Sequence, residues 1–154
     1  MNGLPQNTDA VLEWGVRASL LSYMAGTRDF EVETTGGATF SLAEGARMAG
    51  RVDAGGVLRL HGSVVLRANA GALSVSLVDV RVDGRTLTIA DLAATEDDDD
   101  ARLTLVDLDP VGVGDDPAVL DYGTRLATTA DALFMYNYMP GSAFDPLRIR
   151  LSGR

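Results

Sequence analysis

From residue 29 to residue 90 the apolar side chains recur at every second position, in short β-branched runs broken by glycine pairs. That period lines one face of a strand and is incompatible with the 3.6-residue repeat of a helix. The pairs Gly36-Gly37 and Gly55-Gly56 are turn signals between runs. Within residues 57–67, Leu58, Leu60, Val64 and Leu66 take one parity, and Arg59, His61, Ser63 and Arg67 take the other. This predicts one strand with a buried face and a wetter face. Residues 73–82 alternate likewise, with Leu73, Val75 and Leu77 opposite Ser74 and Ser76, and Asp83-Gly84 predicts a tight hairpin into residues 87–90. A further strand is expected at 102–108, and the alternation of Leu147, Ile149 and Leu151 with Arg148 and Arg150 predicts a closing one.

Two segments break the period. In residues 9–25, Leu12, Val16, Leu20 and Met24 recur every four positions, Asn7, Thr8 and Asp9 offer capping oxygens, and Gly26 suits a C-cap, which together predict a helix. Residues 128–138 predict a second short helix, with Thr128 or Thr129 as N-cap and Pro140-Gly141 as its stop. The 154 residues contain no internal repeat and no domain-sized break, so the expectation is a single domain spanning 1–154. Its class is mainly β, an antiparallel β-sandwich or flattened barrel with two short α-helices, one N-terminal and one near the C-terminus.

Composition removes several classes of function. A formal net charge of −9 gives a surface that repels phosphate backbones and anionic lipid, so no nucleic acid partner is expected. There is no Cys and one His, which excludes disulfides, thiolate metal sites, covalent haem attachment and a multi-histidine site. No apolar run is long enough to cross a bilayer and the first residues lack a signal-peptide pattern, so neither membrane insertion nor a leader is expected. Five consecutive carboxylates, Glu96 to Asp100, predict a solvated loop; the oxygen-ligand spacing of an EF-hand is absent. Residues 109–116, rich in Gly and Asp, read as another loop. No G-x-S-x-G elbow occurs and the scattered acids form no readable pair, so an enzyme is not expected.

Chemistry is concentrated on the predicted first helix. Gly15, Ser19 and Tyr23, four residues apart, would form a line up one of its faces, two small residues below a phenol. A flat ligand lying over Gly15 and Ser19 would present its centre to Tyr23, a shape suited to a planar cofactor with an oxygen-seeking metal. Close packing of the helix on a sheet accounts for the same spacing. His61 is either a half-exposed strand residue or a second contact for such a ligand.

The wording LEWGVRASLLSYMAG, with Trp14, Gly15, Val16, Ser19 and Tyr23, resembles the opening of the HtaA domain, a haem-binding domain of actinobacteria. LHGSVVLRANAGALSVSL from 60 to 77 is similar to that family's central strand pair, and LFMYNYMPGSAFDPLRIRL from 133 to 151 to its closing helix and strand. The exclusive use of Arg over Lys fits such a GC-rich source. The resemblance implies ferric haem held between the first helix and the sheet edge, with Tyr23 as axial ligand. A phenol ionises near pH 10, yet Fe(III) displaces its proton and the resulting tyrosinate favours ferric iron, which suits capture and relay of haem.

The family places a His in the central hairpin to hydrogen-bond the tyrosinate; the aligned position here is Asn69, whose amide donates a bond but carries no charge. His61 shares its parity but lies eight residues away, about 26 Å along a regular strand. A third family position falls on Tyr138, three residues before Gly141, where it would line the pocket or bond a propionate, or else pack with Phe134 and Tyr136. Ser19, Ser22, Arg17 and Arg67 are candidate propionate donors, and no spacing selects among them. Two functions follow: a haem uptake or relay module, exchanging with a haem-donor or haem-acceptor protein, or a relative that has lost haem and serves as a structural or protein-interaction domain. The family is typically exported or at the cell surface; the sequence carries neither signal nor anchor to decide localisation.

Overall fold

A computed structural model of the chain describes residues 4–68, 70, 73–90, 101–111, 116, 118–128, 130 and 138–152. Strand β1 (Thr8–Trp14) opens it, followed by helix α1 (Ala18–Ala25). β2 (Glu31–Thr35), β3 (Thr39–Ser41), β4 (Gly45–Val52), β5 (Leu58–Leu60), β6 (Ser63–Ala68), β7 (Leu73–Val78), β8 (Arg81–Asp83) and β9 (Thr86–Ala90) come next. β10 (Arg102–Pro110), β11 (Val119–Leu126) and β12 (Ala143–Leu151) complete the described strands. All described pairings are antiparallel.

The main sheet runs β1-β12-β11-β10-β9-β8-β5-β4, and β4 pairs again with β1, so the strands form a closed ring with β3 laid along the free part of β4. Closure removes the exposed edges that an open sheet of this length would present. A second sheet, β2-β6-β7, stands beside the ring and carries α1 over β6. Buried residues of both sheets join one cluster: Leu12, Trp14, Met48 and Ile149 from the ring, Val64, Leu66, Val75 and Leu77 from the second sheet, and Leu20, Leu21 and Met24 from the helix.

The expected β class holds, but the first helix does not extend over residues 9–25. Residues 8–14 are a strand in which Ala10, Leu12 and Trp14 are buried. The four-residue spacing of Leu12, Val16, Leu20 and Met24 is real and all four are buried, but it spans a strand, a corner and a helix. Leu12 and Val16 satisfy both periods, and Ala10 and Trp14 break the tie. Asp9, expected as a cap, instead accepts from Arg51 Nη1 at 2.7 Å across the β1–β4 pair. Gly26 does cap α1, its N–H bonding Ser22 O and Tyr23 O. The predicted second helix and the carboxylate run Glu96 to Asp100 lie outside the described residues.

Two predicted strands are each divided. Residues 57–67 break at His61-Gly62, where the chain leaves the ring for the second sheet, and residues 73–82 break at Asp79, with φ +51, where it returns. Asp109 and Pro110, read as loop, extend β10 against Gly123 and Tyr122. The Asp83-Gly84 hairpin and the closing strand stand as expected.

Gly62 is fixed by both backbone and space. Its φ is +83, and a Cβ there would sit 2.2 Å from Thr35 O, at the crossing where Gly36 also approaches. Gly37 has φ +86 with nothing within 4 Å of such a Cβ. Gly62→Ala is therefore expected to cost roughly 3 kcal/mol, against about 1 kcal/mol for Gly37→Ala. Urea midpoints measure both, and equal losses would refute the close-approach argument.

The outer face of the ring is laced by Arg–carboxylate pairs. Asp53 accepts from Arg59 Nε at 2.9 Å and from the backbone N–H groups of Gly55 and Val57, and Asp121 accepts from Arg148 Nε at 2.7 Å. The Arg59 bond first, then the Val57 N–H, hold the Asp53 carboxyl below its ordinary value, and Arg148 does the same for Asp121. With folded pKa values depressed, the unfolded chain binds more protons in the acid window. The stability they contribute is fully present above the ordinary carboxylate pKa of about 4 and is lost as pH falls through the lower folded values. Arg59→Gln combined with Arg148→Gln is expected to flatten the acid limb of the stability–pH profile while leaving its shape above pH 5 unchanged; an unaltered acid limb would count against these pairs.

Candidate functional site

The candidate site is built around the corner where β1 becomes α1. Trp14 ends β1 fully buried between Ala46 and Leu147, its cross-strand partners. Its Nε1–H donates to Asp145 O at 2.8 Å, and the Thr124 hydroxyl donates to the same carbonyl at 2.8 Å. That carbonyl is available because β12 bulges there: Tyr122 pairs with Leu147 and Thr124 with Phe144, leaving Asp145 and Pro146 against Gly123. A proline is tolerated at such a bulge, since no ladder N–H is required of it. Asp145 N–H in turn donates to Val16 O at 2.9 Å.

Gly15 is not on the helix. A Cβ on it would lie 3.2 Å from Asp145 Oδ2, and Val16, buried and at φ +59, turns the chain outward. The predicted line of Gly15, Ser19 and Tyr23 therefore breaks at its first member. Trp14, Gly15 and Val16 make the anchor, and what they place is the start of α1.

Arg17 stands at the N-cap position with an extended backbone and no side-chain cap, and α1 then buries Leu20, Leu21 and Met24. Ser19 and Tyr23, four residues apart, share the opposite, exposed face, and Tyr23 is 57% exposed. Tyr138 is brought to the same end of the helix through Arg17. The guanidinium carbon lies 4.7 Å from the Tyr138 ring centre and 5.6 Å from that of Phe144, while the two rings meet edge to face at 5.4 Å. Arg17 Nε donates to Ser19 Oγ at 3.1 Å, and its Nη1 donates to Ala143 O. Ser19 and Tyr138, sequence candidates from opposite ends of the chain, thus meet around one cation.

The remaining candidates lie elsewhere or outside the described residues. His61 is exposed at the sheet crossing, its backbone N–H bonded to Ala49 O at 2.8 Å. Because the strand breaks there, the regular-strand separation from Asn69 does not apply; Asn69 itself lies outside the described residues. Its neighbour Ala70, at φ +55, donates its N–H to an Asp29 carboxylate oxygen, which ties that hairpin to the chain leaving α1. Arg67 pairs with Glu33 at 3.1 Å on the second sheet. Ser22 faces a cleft of about 510 Å³ also lined by Gly15, Leu42, Glu44 and Asp145. Ser19 and Tyr23 do not line that cleft, and its two carboxylates make it a poor seat for an anion.

Among the described residues no group of three or more His, Cys, Asp or Glu is arranged to hold a metal ion, and no helix is long and apolar enough to cross a membrane. Metal ligation on the exposed face of α1 would rest on the Tyr23 phenol.

A closed antiparallel ring, a three-stranded annex and a helix presenting a phenol define, among the described residues, a β-barrel domain with an external helical face. The HtaA family model (Htaa) matches residues 9–150, and the chain belongs to that family. It is similar in fold to the C-terminal domain of HtaA from Corynebacterium glutamicum, with TM-score 0.73 and 20% identity over 94% of this chain and 96% of that one. The N-terminal domain of the same protein gives TM-score 0.68 and 19% identity over 97% and 100% of the two chains. HtaB of the same organism, described as a heme binding protein, gives 0.69 and 18% over 96% and 94%. No curated protein matches the chain.

The anchor has a measurable energy. Trp14→Phe removes one of the two donors to Asp145 O and shortens a buried side chain, and is expected to lower stability by roughly 2 kcal/mol. Urea denaturation tests this, and a loss below the uncertainty of the midpoint would show that the indole N–H does not hold the corner.

Proposed function

We propose that this chain is a non-catalytic haem-binding module that captures ferric haem on the exposed face of α1, with Tyr23 as the iron ligand, and passes it between a donor and an acceptor protein. The observation that carries the reading is the exposed Tyr23 phenol one turn beyond Ser19, on a helix face that also collects Tyr138 and Arg17. Membership of the HtaA family and the heme binding described for HtaB support it.

The residues fit such a cargo. Ferric haem supplies a hard Lewis acid on a wide apolar plate with two carboxylates, and a phenolate oxygen matches the first of these. Tyr23 is exposed on that face, Ser19 offers a hydroxyl for a propionate beside Arg17 and the Tyr138 ring, and the apolar plate supplies burial energy that outweighs screened repulsion from the surface acids. A tyrosinate stabilises the ferric state, so a module built on it exchanges haem and does not carry dioxygen. The whole chain acts as one such unit.

One residue favours the second reading, in which the family fold serves as a structural or protein-interaction domain without haem. Asn69 stands where the resemblance implies a His, and an amide cannot place positive charge beside a phenolate.

An absorption titration with ferric haem, run beside Tyr23→Ala and His61→Ala, separates these. The parent and His61→Ala are expected to show a saturable Soret shift with tyrosinate charge-transfer bands, and Tyr23→Ala to lose both. Equal binding by Tyr23→Ala would remove Tyr23 as ligand, and no binding by the parent would favour the second reading.

A further inference from the structure

We infer that Arg17, seated on the Tyr138 ring, is the specificity-determining residue of this face, selecting a planar ligand that carries a carboxylate edge and setting Ser19 to receive it; the inference rests on the proposed haem-binding function. Sequence spacing offers four donors without ranking them. The structure separates them: Arg67 is ion-paired on the second sheet, Ser22 faces the acidic cleft, and only Arg17 and Ser19 stand together beside an aromatic pair.

The pairing of Arg17 sets it apart from most arginines of the chain. Nine others each have a carboxylate oxygen within 4.0 Å. Among the described residues Arg17 has none, and α1 has no acid in its first turn. Arg28 and Arg85 also lack a carboxylate among the described residues, but both are exposed on turns, whereas Arg17 is half-buried and held on three sides. Its Nη1 is fixed by Ala143 O, its Nε by Ser19 Oγ, and its plane lies over Tyr138 with Phe144 behind. A guanidinium so fixed has already lost its rotamer freedom, and its Nη2 makes no hydrogen bond among the described residues.

The hydrogen-bond directions favour an anion. Ser19 Oγ accepts from Arg17, so its own proton is left to donate elsewhere, next to an uncompensated positive charge. Two donors of this kind converge on a carboxylate with charge-assisted bonds, and neither gains from an ester. The formal charge of −9 does not oppose this at close range, since charges beyond about 8–10 Å are largely screened at physiological ionic strength.

The test compares ferric haem with its dimethyl ester, titrated against the parent, Arg17→Gln, Arg17→Lys and Arg28→Gln, with circular dichroism confirming the fold of each. The parent and Arg28→Gln are expected to bind the diacid about tenfold more tightly than the diester. Arg17→Gln should bring that ratio close to one by weakening the diacid alone, with the tyrosinate bands of bound haem unchanged, and Arg17→Lys should retain part of it. An equal preference for both compounds in the parent, or a full preference retained in Arg17→Gln, overturns the role of Arg17 and leaves haem binding standing. Failure of the parent to bind either compound overturns both.

Discussion

The carbonyl of Asp145 holds the architecture together where it matters for the site. β1 closes the ring by pairing with β4 on one edge and β12 on the other, and at its end Trp14 and Thr124 both donate to that one oxygen. That part-buried carbonyl is fully satisfied by its two side-chain donors; a bulge without them would leave an under-paired acceptor, at a cost of up to about 1–3 kcal/mol. The return bond from Asp145 N–H to Val16 O pins the chain on the far side of Gly15. The strand therefore leaves the ring at a fixed point and in a fixed direction, and α1 inherits both.

The wording that carries the family resemblance divides accordingly. Trp14, Gly15 and Val16 are buried or packed against Asp145 and have no exposed chemistry to offer a ligand. Gly45 completes the corner, with a would-be Cβ only 2.5 Å from Trp14 O. Arg17, Ser19 and Tyr23 follow at once and point the other way. The first half of the motif is architecture and the second half is the candidate site, and their adjacency in sequence keeps Arg17, Ser19 and Tyr23 each within about two turns of the anchor.

Much of the β architecture was legible from alternation, because Leu58, Leu60, Val64, Leu66, Leu73, Val75 and Leu77 are all buried as their parity predicts. Parity, however, does not register a change of sheet. The break at His61-Gly62 preserves the alternation on either side, so one strand in the sequence is two in space. β11 was invisible for a different reason: five of its eight residues are only half-buried and Gly123 interrupts the run, so its place is set by its neighbours β10 and β12. Residues 8–14 were misread because a two-residue period and a four-residue period coincide at Leu12 and Val16, and only tertiary pairing with β4 and β12 decides between them.

The site was legible in its parts and not in its assembly. Ser19 and Tyr23 can be placed on one face from spacing alone, since four residues make just over one helical turn. That Tyr138 joins them depends on β12 passing beside β1, which brings Phe144 and Ala143 under Arg17. No local pattern encodes that contact, and Arg17 looks in sequence like one more surface arginine among many. Its distinction is electrostatic: in a chain where carboxylates outnumber arginines 22 to 13, a half-buried guanidinium held by rings, a carbonyl and a hydroxyl keeps its charge unpaired among the described residues. Ordinary stability offers little reason to hold a cation so, because a carboxylate partner could be supplied from almost anywhere on so acidic a surface. An anion that arrives from outside gives a reason, and it places the selective element of the face at the helix start, about 1.7 turns from the phenol that would take the metal.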